Sequence, residues 1–413
     1  MTERASAGAP FGVRSFRFQW PADLATSWAF EMEALILGWY ILTATGSVGQ
    51  LVVFGALLWL GSLLSPFFGV ATDRVGHRAL LCATRGIYAL LAAVLLALTV
   101  SGALAPWHVF AISAVAGLMK PSDMVMRQAL IAQTMRPDTL LGALAISRTT
   151  YDTAKIVGAL AGTAGVALIG MAAAYAVVTA MYMAAFLLSL GVAGSPQRAR
   201  HGSDPHPLAA LTEVFGYVWS KPDLLGAFSI AFLVNLLAYP FFLGLLPYVA
   251  KDVYASGQAG LGYIAVAYAL GGLAGSLMVG ANRLPLRAAR AMLAGCAAWF
   301  ATILLFGQIQ IMAVGLALLF VAGFVQSLCM IPLAAVMLRS SADEMRGRVM
   351  GMRQLAVWGL PLGLLAAGPL ITRFGFAATT LLYAGLGLAT MLAIGYRLRR
   401  ALWNPAATAN ARI

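Results

Sequence analysis

Long apolar runs, each close to the length of a membrane-crossing helix, recur along the whole chain with short polar interruptions. A helix rises about 1.5 Å per residue, so roughly 20 apolar residues cross a ~30 Å hydrocarbon core. Twelve runs reach that length: 18–42, 47–69, 79–101, 107–131, 140–169, 171–194, 224–250, 258–281, 287–307, 311–338, 347–370 and 375–396. The pattern predicts an all-α polytopic membrane protein with twelve transmembrane helices. Turns such as "TATGSVG" and "SGALAPW" join the first six spans tightly. The polar stretch "GSPQRARHGSDPHPLAALTEVFGYVWSKPD" then separates two halves, and within it a short amphipathic helix is predicted around Leu208 to Trp219. The expected organisation is a tail over 1–17, a six-helix bundle over 18–194, a linker over 195–223, a second six-helix bundle over 224–396 and a tail over 397–413.

Composition supports this division. Of 413 residues, 61% are hydrophobic and 10% charged, whereas soluble domains average about 25% charged. The net charge of +13 would suggest a nucleic-acid partner in a soluble protein, but its placement gives another reason for it. With the N-terminus inside, 19 of the 27 Lys and Arg fall in segments on that side, and only Lys251 and Arg373 in loops on the other. That asymmetry predicts both termini in the cytoplasm and excludes nucleic acid as a partner. The start of the chain interleaves Phe11, Phe16, Phe18 and Trp20 with Arg14 and Arg17. It reads as an interfacial segment leading into the first span, not as a cleaved signal.

Enzyme chemistry finds no foothold. Cys82, Cys296 and Cys329 all lie inside apolar runs, and no metal-ligand spacing, Gly-x-Ser-x-Gly turn or nucleotide-binding loop is present. We therefore expect no enzymatic activity, no metal, no cofactor and no ATP-driven step.

The charges left inside the spans carry more information. The first span holds Asp23, Glu31 and Glu33, and a carboxylate near the bilayer centre costs at least a few kcal/mol, so it faces protein or a water-filled cavity. Glu31 and Glu33 are separated by about 200° around the helix axis and cannot face one cavity together. All three are candidates for proton coupling. Lys120, Asp123 and Arg127 follow in the fourth span and Arg148, Asp152 and Lys155 in the fifth. With Arg85 of the third, the first half carries five acids and five bases within its spans. In low dielectric such charges pair or change protonation state. The i, i+4 spacings of Asp123 with Arg127 and Arg148 with Asp152 predict local structural pairs. Which of Glu31 and Glu33 faces the cavity stays open at this stage.

A weak internal repeat relates the halves. Asn282, Arg283 and Arg287 follow Asp73, Arg74 and Arg78 at a constant offset, and Gly359 and Gly363 of the eleventh span echo Gly158 and Gly162 of the fifth. Repeated six-span halves are a transporter architecture, with the site at the bilayer midplane.

The stretch Gly69-x-x-x-Asp73-Arg74-x-Gly76-His77-Arg78 resembles the cytoplasmic loop signature of the major facilitator superfamily, and it stands after the second span of twelve, as it does there. "ILTATGSV", "RQALIAQTMRPDTLLGALAISRTTYDTAKIVGALAG" and "MRGRVMGMRQLAVWGLPLGLLAAGPL" look like the branch that includes the enterobactin exporter and macrolide-efflux proteins. The resemblance implies a monomeric secondary transporter of a bacterial-type inner membrane, driven by the proton gradient. It would export a hydrophobic or amphipathic small molecule by alternating access, with uptake by proton symport or a lipid-like substrate as alternatives. It further implies that Asp73 latches the two halves on the cytoplasmic side, for which Arg346 and Arg348 at the start of the eleventh span are available partners. In this superfamily spans 1, 4, 7 and 10 line the central cavity, which brings forward Asn235 and Tyr239 of the seventh span and Gln326 of the tenth. One departure stands out: the fifth span reads "GALAG", with Ala159 where drug–proton antiporters carry proline. Gly158 and Gly162 then read first as a small-residue face for close packing.

Overall fold

The computed structural model describes residues 9–64, 76–193, 207–281 and 288–399. Among them there is no strand, and helices follow the apolar runs. In chain order these are α1 (Arg14–Thr45), α2 (Val48–Leu57), α3 (His77–Val100), α4 (Pro106–Thr134), α5 (Pro137–Leu190), α6 (Pro207–Ser220) and α7 (Pro222–Leu237). Past short helical pieces over Pro240–Leu243, Leu246–Tyr248 and Val249–Val253 come α8 (Gln258–Gly280), α9 (Ala288–Phe306), α10 (Met312–Ser340), α11 (Arg346–Ala356) and α12 (Gly359–Arg397). Seven of the described helical stretches are long and apolar enough to cross a membrane, or eight counting the bent pair formed by α6 and α7.

Two of those stretches are double spans. Gly142–Leu190 covers 49 residues and Arg346–Arg397 covers 52, each about twice what a ~30 Å core needs. Gly170 (φ 79°) and Gly375 (φ 83°) break them, in a backbone region that glycine enters without the Cβ penalty. Gly170 directly follows the predicted end of the fifth span, and Gly375 is the first residue of the predicted twelfth. The linker helix appears as α6, bent by 111° against α7.

The chain divides into two compact units. Unit 1 comprises 1–46 and 64–203, and unit 2 comprises 47–63 and 204–413. The segment 47–63, placed within the first bundle by the sequence reading, thus packs with unit 2. There Gly368 of α12 meets Val52 and Gly49 of α2, and Gly55 of α2 meets Leu364 and Gly244. These small-residue contacts set the helix pair close together, and an apolar run by itself does not reveal its packing partner.

Within unit 1, α1 lies along α5. Gly158 packs on the Trp28 carbonyl and Glu31, and Gly162 on Met32. Within unit 2 the same pair of glycines recurs: Gly359 packs on Phe232 and Leu236, and Gly363 on the Leu236 carbonyl. The expected packing role of the "GALAG" glycines is what the helices show, and the internal repeat extends to which helices they join. Elsewhere in unit 2, α8 and α10 cross at Gly271 and Gly323, where an added Cβ would meet the carbonyls of Phe320 and Tyr268. Gly323→Ala is therefore expected to cost about 1–3 kcal/mol, because backbone cannot give way as a side-chain tip can. Thermal unfolding of the purified protein would show this as a lowered midpoint, and an unchanged midpoint would contradict the crossing.

Candidate functional site

In unit 1, α1, α3 and α4 bring four charges together. Arg85 of α3 is 1% exposed, since it points inward from a helix whose opposite face is apolar. Its guanidinium donates to the carboxylate of Asp23, to Ser189 Oγ at 2.6 Å, and lies 3.5 Å from Asp123 Oδ1. Arg127 closes the group, with Nη2 2.5 Å from Asp123 Oδ2, Nε 3.6 Å from Asp23 Oδ1 and Nη1 donating to Ser27 Oγ at 2.7 Å. Gln19 Nε2 donates to the Arg127 carbonyl at 2.9 Å. Two carboxylates and two guanidiniums make a buried, neutral square. Its members are fixed by more than one bond each, which is what such charges require in low dielectric. The expected pair Asp123–Arg127 is one edge of it. Asp23, read from the sequence among the proton-coupling acids, stands between two guanidiniums because Arg85 reaches it from the third span.

A cleft with about 70 Å³ of space for water-sized molecules adjoins the square, lined by Asp23, Ser27, Arg127, Ser147, Thr150 and Tyr151 among others. Arg148 pairs with Asp152 at 3.0 Å on its rim, as the i, i+4 spacing predicted.

The two glutamates of the first span part company. The hydroxyls of Tyr175 and Tyr182, on the second arm of α5, donate to the two carboxylate oxygens of Glu33, the latter at 2.7 Å. Tyr88 packs against Tyr182 at 5.7 Å between ring centroids. Glu31 faces the other way. Gly158 lies against its Cβ. The Lys120 ammonium sits 3.7 Å from the centroid of the Phe30 ring, and the Lys155 ammonium 4.9 Å from that of Tyr151. The indole N–H of Trp28, one turn before Glu31, is buried without a partner. The tyrosine clamp on Glu33 escaped the sequence reading, although Tyr175 and Tyr182, seven residues apart, occupy one helix face.

In unit 2 two of the three polar positions predicted for the cavity, Tyr239 and Gln326, meet, and Asn235 turns to its own helix. Gln326 Nε2 donates to Tyr239 Oη at 2.9 Å, and the Tyr239 ring meets Trp299 edge-on at 4.9 Å. Asn235 is buried and its Nδ2 donates to the Ala231 carbonyl of its own helix at 2.8 Å. Around Tyr239 stand Trp299, Phe242, Tyr268 and Phe306, with Phe242 and Tyr268 stacked at 4.6 Å.

Of the loop signature, Gly69, Asp73 and Arg74 lie outside the described residues. Gly76 caps α3 with φ 88°, and Arg78 Nη2 donates to the Leu190 carbonyl at 2.8 Å, where the end of α5 favours a cation. Arg346 Nε donates to the Leu338 carbonyl at 3.1 Å, and Arg348 forms an ion pair with Glu213 at 2.8 Å. His108 Nδ1 accepts the Ala105 N–H at 3.1 Å and caps α4.

Long apolar helices and helical double spans among the described residues make this a polytopic membrane protein. The family model of the major facilitator superfamily matches residues 24–364, and the chain belongs to that superfamily. It is a multi-pass membrane protein and a secondary transporter working by alternating access. Its fold is similar to that of the nucleoside transporter NupG, at a TM-score of 0.73 and 12% identity over 94% of this chain and 99% of that one. It is similar also to the human organic anion transporter MFSD10, at 0.66 and 17% over 92% and 99%. A D-xylose–proton symporter matches at 0.69 and 12% over 92% and 96%. No curated protein matches the sequence.

Proposed function

We propose that this protein couples proton movement to transport of a hydrophobic or amphipathic small molecule, with Glu31 as the proton carrier. One observation carries the assignment: of the three acids in the first span, Asp23 is held by two guanidiniums and Glu33 by two phenols. Glu31 instead lies with its Cβ against Gly158 of α5. Both termini are taken as cytoplasmic, in a bacterial-type inner membrane, with the monomer as the working unit.

Export is the direction that the exporter-like stretches of the sequence support. A second reading, uptake by proton symport, is favoured by Lys120, whose ammonium lies over the ring of Phe30, the residue before Glu31, since an anionic solute and a proton would be bound together there. Inside-out vesicles with a preformed acidic lumen, challenged with lipophilic cations, macrolides and catechol siderophores, test the proposal. Dissipation of the gradient by one class supports proton-coupled export. Dissipation only when solute is loaded together with protons on the luminal side supports symport. No proton movement in either arrangement, with folded protein present, would overturn proton coupling.

A further inference from the structure

The helix α6 touches different things on different flanks. Val214 and Val218 are buried, whereas Phe215 is 38% and Trp219 64% exposed among the described residues. At about 100° per residue Phe215 and Trp219 share one stripe, and Glu213 and Tyr217 lie roughly 160° from it. That second flank is fastened to the turn between α10 and α11. Glu213 pairs with Arg348 at 2.8 Å, and Tyr217 Oη accepts the Lys221 ammonium at 2.6 Å and the Ala342 N–H at 2.9 Å. Lys221 also donates to the Ser340 carbonyl at 3.0 Å. The aromatic stripe instead meets α7, with the Phe215 ring 6.4 Å from that of Phe228 and 6.4 Å from that of Trp219.

We propose that the stripe of Phe215 and Trp219 is a lipid-contact surface, by which α6 lies along the bilayer with both rings among the headgroups and upper acyl chains. Three observations carry this. First, α6 is bent by 111° against α7, and α7 carries the predicted seventh span into the membrane. A helix so bent from a crossing one runs nearly parallel to the membrane plane. Second, the direction of the stripe is fixed by its contact. Phe228 stands six residues past Pro222, the first residue of α7, which is about 9 Å along the span. A ring on α6 that meets it projects towards the bilayer, so the stripe continues the surface of the span. Third, the chemistry suits that depth. From Leu208 through Leu211 and Phe215 to Trp219 the same side of the helix carries no charge in the sequence, and an indole offers an apolar body with one N–H for the headgroup layer. A water-soluble protein partner would have to reach past the headgroups to a stripe turned towards the span.

The seating has a mechanical consequence within unit 2. The flank opposite the lipid holds Ala342 and Arg348, so the bilayer surface and the start of α11 are joined through one short helix.

The test places a nitroxide label on Phe215→Cys, Trp219→Cys and Gly216→Cys of the full-length protein in liposomes of phosphatidylethanolamine and phosphatidylglycerol. Gly216 points about 100° away from Phe215, and an added Cβ there meets nothing within 4 Å. Wild-type protein taken through the same labelling supplies the background of Cys82, Cys296 and Cys329. Labels at 215 and 219 are expected to collide with oxygen in preference to a water-soluble nickel chelate, at a depth of about 5–10 Å in the interfacial layer. The label at 216 should show the reverse preference. Trp219→Phe gives a reading without a label: the emission lost relative to wild type should be blue-shifted and quenched by lipids brominated near the headgroup end of the chain. Preference for the chelate at all three positions, or no quenching of Trp219, would show a stripe in water and overturn the inference. Shielding of 215 and 219 from both collision partners would show the stripe covered by protein, from this chain, a second copy or another molecule, and would overturn it equally.

Discussion

Arg85→Leu is expected to destabilise the protein by about 3–5 kcal/mol, the cost of leaving a buried charge without its partner. Arg85 is 1% exposed and bridges Asp23, Asp123 and Ser189. Leucine fills much of the volume but leaves Arg127 to face two carboxylates alone. The measurement is thermal unfolding in detergent, with the yield of monodisperse protein beside it. Arg85→Leu combined with Asp23→Leu supplies the control, since it leaves Asp123 and Arg127 as a balanced pair at 2.5 Å. The double variant should recover most of the lost stability, a coupling that only contacting residues show. Arg85→Lys should recover little, because one ammonium cannot reproduce a fork that reaches three partners. A wild-type midpoint for Arg85→Leu would show that the square contributes nothing to the folded state.

The all-helical membrane plan was legible because it rests on length and hydropathy, which seven of the described stretches satisfy by themselves. The ends of the double spans were legible for a related reason. Gly170 and Gly375 stand where an apolar run exceeds one bilayer crossing, and only the backbone of glycine takes the positive φ seen at both. Local pairs could also be read: Asp123 with Arg127 and Arg148 with Asp152 follow from 3.6 residues per turn. What could not be read depends on how one helix is rotated against another. The different surroundings of Glu31 and Glu33 are set by α5, whose Tyr175 and Tyr182 lie 142 and 149 residues beyond Glu33. No periodicity in the first span contains that information. Arg85 reaching Asp23 across 62 residues, and α2 packing against α12, are hidden in the same way. Asn235 shows a further reason. Its amide turns back to its own helix at Ala231, and a side chain that can satisfy itself locally does not have to face a cavity.

Glu31→Gln is expected to abolish gradient-driven transport while leaving exchange of solute across the membrane. The amide keeps the shape and burial of the side chain but cannot load or release a proton, so the carrier cycles without the coupling ion. Counterflow of labelled against unlabelled solute involves no net proton movement and should persist. Accumulation against a gradient should fall to the level of protein-free vesicles. Glu33→Gln supplies the contrast. The amide still offers an acceptor to one tyrosine hydroxyl but sets an NH2 group against the other, so about 1–3 kcal/mol of stability should be lost, with the gradient response retained. The solute affinity of Glu31→Gln then reads the sign of the coupling. If proton and solute bind together, glutamine mimics the protonated acid and affinity is held or improved. If they exclude each other, as proton-driven export requires, the same variant weakens solute binding. Loss of accumulation in Glu33→Gln with a normal Glu31→Gln would reverse the assignment of the two acids. The direction of transport is thus read from one difference in affinity, the sign of the coupling between proton and solute.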